Sequence, residues 1–161
     1  MSETAGAEQG VGLSLDDYLP FRLSIASNAI SKLIARAYED RFGLTVPQWR
    51  LIAVLAEQPM TQQAMVVRTV MDKVMVSRAA QALVARRLVV RSAHEADGRS
   101  HVLTLSEEGQ RLYADVAPLA KDYEAALLTG VEPDDVAALK RLLIRLEAAA
   151  ARLSDEDLPR A

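Results

Sequence analysis

Residues 72–87 constrain the fold more than any other part of the chain. In this stretch Val76, Ala80, Leu83 and Val84 recur at three- and four-residue steps and make one apolar stripe of a helix. Lys73, Ser77, Arg78 and Gln81 fall largely on the other side. Asp72 suits the N-cap, where a carboxylate accepts orphan N–H bonds and favours the positive end of the helix dipole. Such a helix buries one face and offers the other to a polyanion. A short serine beside arginine and glutamine suits the major groove, where arginine pairs with guanine and glutamine with adenine. Taken alone, the same pattern also describes an ordinary amphipathic surface helix.

The segment after this helix narrows the choice. Two β-branched, partly alternating runs, 88–93 and 101–105, flank residues 94–100, and a hairpin with its turn at Asp97-Gly98 is expected. Helix, hairpin and a basic tip at Arg99 suggest a winged helix-turn-helix. In that arrangement the helix reads bases and the wing arginine reaches a minor groove.

The rest of the chain reads as further helices. Residues 1–14 are small and polar and are expected to be a flexible N-terminus. Pro20 suits a first helical turn, and Leu23, Ala26, Ile30, Leu33, Ile34, Ala37 and Tyr38 then recur at helical steps towards Gly43. That helix is longer than a small winged core needs, which points to a dimer interface. Thr45 and Gln48 are spaced as a capping box, with Pro47 in the first turn of a helix through Trp49, Leu51, Ile52 and Leu55. Thr61 begins the next helix, and Val70-Met71 is the tight turn before Asp72. Ser106 can cap a helix that opens with Glu107 and Glu108 and that Pro118 should kink. Gly130 marks a break, and Pro133 opens a last helix with Leu139, Leu142, Leu143, Leu146 and Leu153 along one side. The expected organisation is a winged helix-turn-helix DNA-binding domain over 44–106. A helical dimerisation region comprises 15–43 and 107–153, and 154–161 form a frayed tail. The fold class is mainly α with a small β-hairpin wing.

Composition matters at three points. The net charge is −3, yet residues 68–101 hold seven basic side chains against three acidic ones, a surplus of four that leaves −7 elsewhere. A basic face on an otherwise acidic molecule suits oriented binding to phosphates. The 161 residues include no cysteine, so disulfides and thiol switches are excluded. No stretch approaches a membrane span, and the first residues lack the basic and apolar parts of a signal peptide, so a cytoplasmic protein is expected.

The run from Leu44 to Tyr113 resembles the MarR family of winged-helix transcription regulators. The resemblance is carried by 44–50 (LTVPQWR), Thr61-Gln62, Asp72-Lys73, Val76-Ser77-Arg78, Arg86-Arg87-Leu88-Val89, 97–100 (DGRS) and 103–109 (LTLSEEG), in the family's order and spacing. It implies that Asp97 orients Arg99 in the minor groove. It also implies an effector pocket near Trp49, with Arg22 or Arg50 holding an anionic ligand such as an aromatic acid or its thioester. Trp49 also reads simply as a packed core residue. Relatives commonly carry serine or threonine where Val74 and Met75 stand; an apolar pair there either touches thymine methyls or turns away from DNA. Met60, Met65 and Met71 read as core filler.

Other chemistries find little support. His94 and His101 flank the wing and read better as solvent-facing residues than as a metal site. No nucleophile elbow, phosphate loop or cysteine nucleophile occurs, so no catalytic residue, metal or cofactor is assigned. The expected function is a homodimeric regulator, a repressor, binding a pseudo-palindromic operator in double-stranded DNA and released by a small effector of unknown identity. The expected DNA-contacting residues are Lys73, Val74, Met75, Ser77, Arg78, Gln81, Asp97 and Arg99; those for the effector are Arg22, Trp49 and Arg50. The alternative is a winged-helix protein-interaction module without specific DNA binding.

Overall fold

The computed structural model describes residues 12–94 and 97–155. The side chains of 94–100 lie outside the described part, among them the expected wing contacts Asp97 and Arg99. Among the described residues six helices and a small antiparallel sheet follow one another as α1 (Leu19–Phe42), α2 (Val46–Glu57), β1 (Met60–Thr61), α3 (Gln62–Thr69), α4 (Lys73–Ala85), β2 (Val89–His94), β3 (Asp97–Leu105), α5 (Glu107–Leu127) and α6 (Pro133–Asp155).

Local chemistry sets most of these boundaries. α1 starts with Pro20 in its first turn and stops at Gly43, whose φ of 59° is open to glycine at no steric cost. At the start of α2 the Thr45 hydroxyl accepts from the Gln48 N–H at 3.3 Å, while the Gln48 side-chain oxygen accepts from the Thr45 N–H at 3.0 Å. That reciprocal pair is the expected capping box. The Thr61 hydroxyl accepts from the Ala64 N–H at 3.2 Å to start α3. The Asp72 carboxylate accepts from the Met75 N–H at 2.7 Å to start α4. Ser106 starts α5, its hydroxyl accepting from the Gly109 N–H at 3.0 Å and donating to the Arg87 carbonyl at 2.7 Å.

The sheet has the order β1-β3-β2, with Met60 opposite Leu103 and Val89 opposite Leu105. Two details differ from the sequence reading. The strand β1 has no counterpart there, because two residues carry no periodicity. Asp97-Gly98 is not the hairpin turn: Asp97 already pairs with His94, past an irregularity at Ala93/His94. Gly98 therefore lies within β3, and the link between the strands is residues 95–96, outside the described part.

Chain contacts divide the protein at Ala117/Pro118. The first unit holds a core in which Leu44, Leu51, Ile52, Met65, Val76, Leu83 and Leu103 are almost completely shielded from solvent. From α4 the buried residues are Val76, Ala79, Ala80 and Leu83. Ala79 takes the place expected of Val84, which is half-buried; a 100° step per residue centres the stripe one position nearer the N-terminus. The second unit contains the remainder of α5, which continues helically through Pro118, and α6. Here Lys140 and Glu124 form an exposed ion pair at 3.0 Å. Between the two helices Gly130 has a φ of 82°, the expected break.

Candidate nucleic-acid interface

α4 stands on the core by its inner face and presents the opposite one to solvent. The sequence alone accounts for this division. Valine, two alanines and leucine are spaced to bury together, and small alanines let the helix lie close to its neighbours. On the outer face Lys73, Val74, Met75, Arg78 and Gln81 are exposed, while Ser77 is half-buried. Residues 74, 78 and 81 follow steps of four and three and share one helical face, and Met75 borders it three residues before Arg78. The Gln81 amide nitrogen lies 3.5 Å from the Ser77 hydroxyl, a weak bond that leaves most of the amide's hydrogen-bonding capacity available. Arg78 has no ion pair among the described residues. With Thr45, Pro47, Gln48, Val74 and Met75 it edges a shallow cleft of about 360 Å³ at the start of α2 and α4.

The basic residues counted from the sequence are not all equivalent. Arg68 pairs with Glu57 at 3.2 Å, both more than half exposed. Arg86 donates to the carbonyls of Gly43 and Phe42 at 2.8 and 3.0 Å. These two are occupied with the fold. Lys73, Arg78, Arg87 and Arg91 are exposed and make no side-chain bond among the described contacts, so their charge is available to a ligand.

A second polar cleft, about 310 Å³, has no counterpart in the sequence reading. It lies between the start of α3 and the sheet, lined by Thr61, Gln62, Gln63, Arg91, His101 and Leu103. The register explains the grouping: Arg91 sits opposite Leu103 on β3, and β1 brings the start of α3 against the same strand. The helix start, the glutamine amides and Arg91 together offer donors to an anion. The signal available in the sequence is Arg91 within a β run that begins directly after the helix.

The residues expected around an effector are partly dispersed. Trp49 lies in an aromatic row, its ring centroid 5.3 Å from Tyr38 and stacked at 5.8 Å on Tyr113. Tyr38 is buried. Arg22 on α1 and Arg50 on α2 are exposed, and no described contact joins either to the Trp49 ring. Near the other end of α2, Leu55, Pro59, Thr104, Leu105, Gln110 and Tyr113 line a cleft of about 320 Å³. Among the described residues no group of three His, Asp or Glu side chains is gathered closely enough to hold a metal ion. No described helix is long and apolar enough to cross a membrane.

Comparison with known proteins adds a family and a fold. A sequence model of the MarR family matches residues 42–100. Comparison with curated protein sequences gave no match. The chain is similar to a MarR/EmrR family transcriptional regulator from Acinetobacter sp. ADP1 in its crystal structure, with 26% identity and a TM-score of 0.81 over 87% of this chain and 99% of that one. It is 30% identical to a probable transcriptional regulator from Pseudomonas aeruginosa, with a TM-score of 0.73 over 83% of this chain and 99% of that one. CouR from Rhodococcus jostii RHA1, crystallised bound to p-coumaroyl-CoA, shares the fold at 22% identity and a TM-score of 0.73, over 82% and 93% of the two chains.

Proposed function

The chain belongs to the MarR family of transcription regulators, and from that premise we propose that it is a cytoplasmic, non-enzymatic, homodimeric repressor. It binds a pseudo-palindromic operator and is released by a small aromatic acid or acyl thioester. The observation that carries the reading is the exposed face of α4. Arg78 stands there without an ion pair among the described residues, beside Gln81 and above a buried stripe. A helix so anchored enters a major groove, its arginine placed for guanine and its glutamine for adenine. Lys73 and Ser77 serve the phosphates, and the wing pair Asp97 and Arg99 serves the adjacent minor groove.

Dimerisation is assigned to residues 15–43 and 107–153. Leu19, Leu23, Ile25, Ile30 and Leu33 on α1 are exposed in the single chain, as are Leu139, Leu142, Ile144 and Leu146 on α6. On each helix by itself, Leu19, Leu23, Ile30 and Leu33 of α1 and Leu139, Leu142 and Leu146 of α6 fall on one side, and apolar faces left to water favour association. Two copies related by a two-fold axis place two α4 helices on successive turns of the duplex.

The effector reading is supported by the half-buried Trp49 and Tyr113 rings, stacked within 16° of parallel and able to sense a planar ring, with the buried Tyr38 tilted behind Trp49. Arg22 and Arg50 are the cations proposed to hold its carboxylate or phosphates. CouR, of the same fold, was crystallised with an aromatic acyl-CoA. An effector acts here by favouring a dimer whose α4 spacing misfits the operator.

The decisive experiment is an electrophoretic shift with the DNA upstream of the protein's own gene, against random DNA of equal length. A retarded operator complex that dissociates on adding an aromatic acid, with a change in Trp49 emission, is the expected outcome. Equal retention of both DNAs overturns the operator reading. Release without any change in emission removes Trp49 from the effector site.

A further inference from the structure

The start of α4 carries two apolar side chains where a polar helix face is wanted. Val74 is 59% exposed and Met75 41% exposed. The neighbouring methionines Met60, Met65 and Met71 are at most 8% exposed, so Met75 is not part of the same packing. Neither residue contributes to the core, and the turn they occupy is pinned by the Asp72 cap on the Met75 N–H at 2.7 Å. Arg78 follows Val74 by four residues and Met75 by three, on the same face.

Resting on the operator reading above, we infer that Val74 and Met75 are thymine readers. Each half-site then contains a thymine whose 5-methyl group packs on them, beside a guanine held by Arg78. The chemistry is selective because thymine's methyl is the one apolar group on the major-groove edges of the four bases. An apolar side chain set against the amino group of cytosine or adenine strips water from a donor and returns no bond. Geometry fixes the spacing. Four helical residues advance about 6 Å along α4, less than two base-pair steps of about 3.4 Å. The thymine therefore lies within about two base pairs of the guanine.

The full-length protein selects its operator from a randomised duplex library, and the selected operator is resynthesised with deoxyuridine replacing thymine. Loss of one buried methyl weakens binding roughly 4-fold, and one such methyl in each half-site of a dimer compounds to more than about 10-fold. That loss is expected for wild type and is expected to vanish in Val74→Ser/Met75→Gln, whose exposed sites permit substitution without a change in the urea midpoint. Wild type binding both operators equally overturns the inference. So does a uracil penalty of the same size in the double variant, because the methyl is then read elsewhere. Failure of the library to enrich any sequence is a different result: it overturns the operator reading on which this one rests.

Discussion

Arg86, just past the end of α4, donates through Nη1 to the carbonyl oxygen of Gly43 at 2.8 Å. Its Nη2 reaches the Phe42 carbonyl at 3.0 Å. One guanidinium thus caps the last carbonyls of α1 with a fork of donors and sets a positive charge at the negative end of that helix's dipole. It ties the long first helix to the helix assigned to the major groove. Arg86→Ala is expected to lower unfolding stability by about 1 kcal/mol, since the pair of bonds is exposed and partly replaced by water. Arg86→Lys keeps the charge without the fork and should fall between. Urea midpoints of the three proteins check this, and the gap should shrink at high salt. Equal midpoints for wild type and the alanine variant would mean the link contributes nothing.

At Gly109 two effects have opposite signs. The residue lies in the first turn of α5, where alanine gains about 1 kcal/mol of helix propensity over glycine. A Cβ there would stand 2.1 Å from the Leu88 carbonyl oxygen and 3.3 Å from the Leu105 side chain. The Leu88 oxygen is backbone and already accepts from the Ser106 N–H at 3.0 Å, so no rotamer change relieves the clash. Overpacking of this kind costs about 1–3 kcal/mol, and the clash should win. A lower melting temperature for Gly109→Ala is the expected result. A higher one would show that propensity dominates and that the base of the wing is loose.

Val70, between α3 and α4, has a φ of 54° and is 91% exposed. A left-handed conformation costs an L-residue roughly 1–2 kcal/mol and is worse for a β-branched side chain, while asparagine tolerates it. Nothing is packed on this side chain, so no burial is lost by changing it. Val70→Asn should raise stability by about 1 kcal/mol in thermal unfolding. Val70→Gly should gain less, because glycine also loosens the unfolded chain. If both variants melt at or below wild type, Val70 carries a contact that the single chain does not reveal.

The helices and their caps are legible in the sequence because the atoms that fix them lie within four residues of one another. In Thr45 with Gln48, Asp72 with Met75 and Ser106 with Gly109 a side-chain oxygen accepts from the backbone N–H three residues on, and threonine, aspartate and serine are the residue types that favour that position. The features that escape are long-range. β1 exists only because Met60 meets Leu103, and Arg86 has a role only because Gly43 is brought to it. The Trp49 stack needs Tyr113 from a distant helix. The turn differs for a subtler reason. An Asp-Gly pair is a strong turn signal, but the pairing of His94 with Asp97 closes the hairpin first and leaves Gly98 in the strand.

The apolar periodicity of α1 marks a stripe without saying where along its length the chain covers it. Only Ala37 and Tyr38 of that stripe are buried in the first unit, while Leu23, Ile30 and Leu33 remain exposed. A hydrophobic pattern states that a face is to be covered and does not state by what. The same holds at α4, where Val74 and Met75 break the polar face in sequence and emerge as exposed side chains in the fold.

Arg78 and Arg91 are alike in a charge count and different in the fold. Arg78 stands on the exposed face of α4, whereas Arg91 lies on β2 beside the start of α3, in the cleft with Gln62, Gln63 and His101. The first position suits a base edge and the second a phosphate. Arg78→Ala should cost about 1–3 kcal/mol on the operator, relax preference at one position per half-site and leave binding to random DNA nearly intact. Arg91→Ala should weaken operator and random DNA by similar factors. It should also lower the slope of log affinity against log salt by about 0.9 for each phosphate no longer neutralised, and a symmetric dimer gives up one in each half-site. Both substitutions are at exposed positions, so unfolding midpoints should stay within about 0.5 kcal/mol of wild type and keep the comparison clean. Titrating both DNAs at two salt concentrations with each variant measures affinity, sequence preference and salt slope together. If Arg91→Ala erased sequence preference while Arg78→Ala changed only the salt slope, the helix would be the phosphate clamp and the sheet edge the reader.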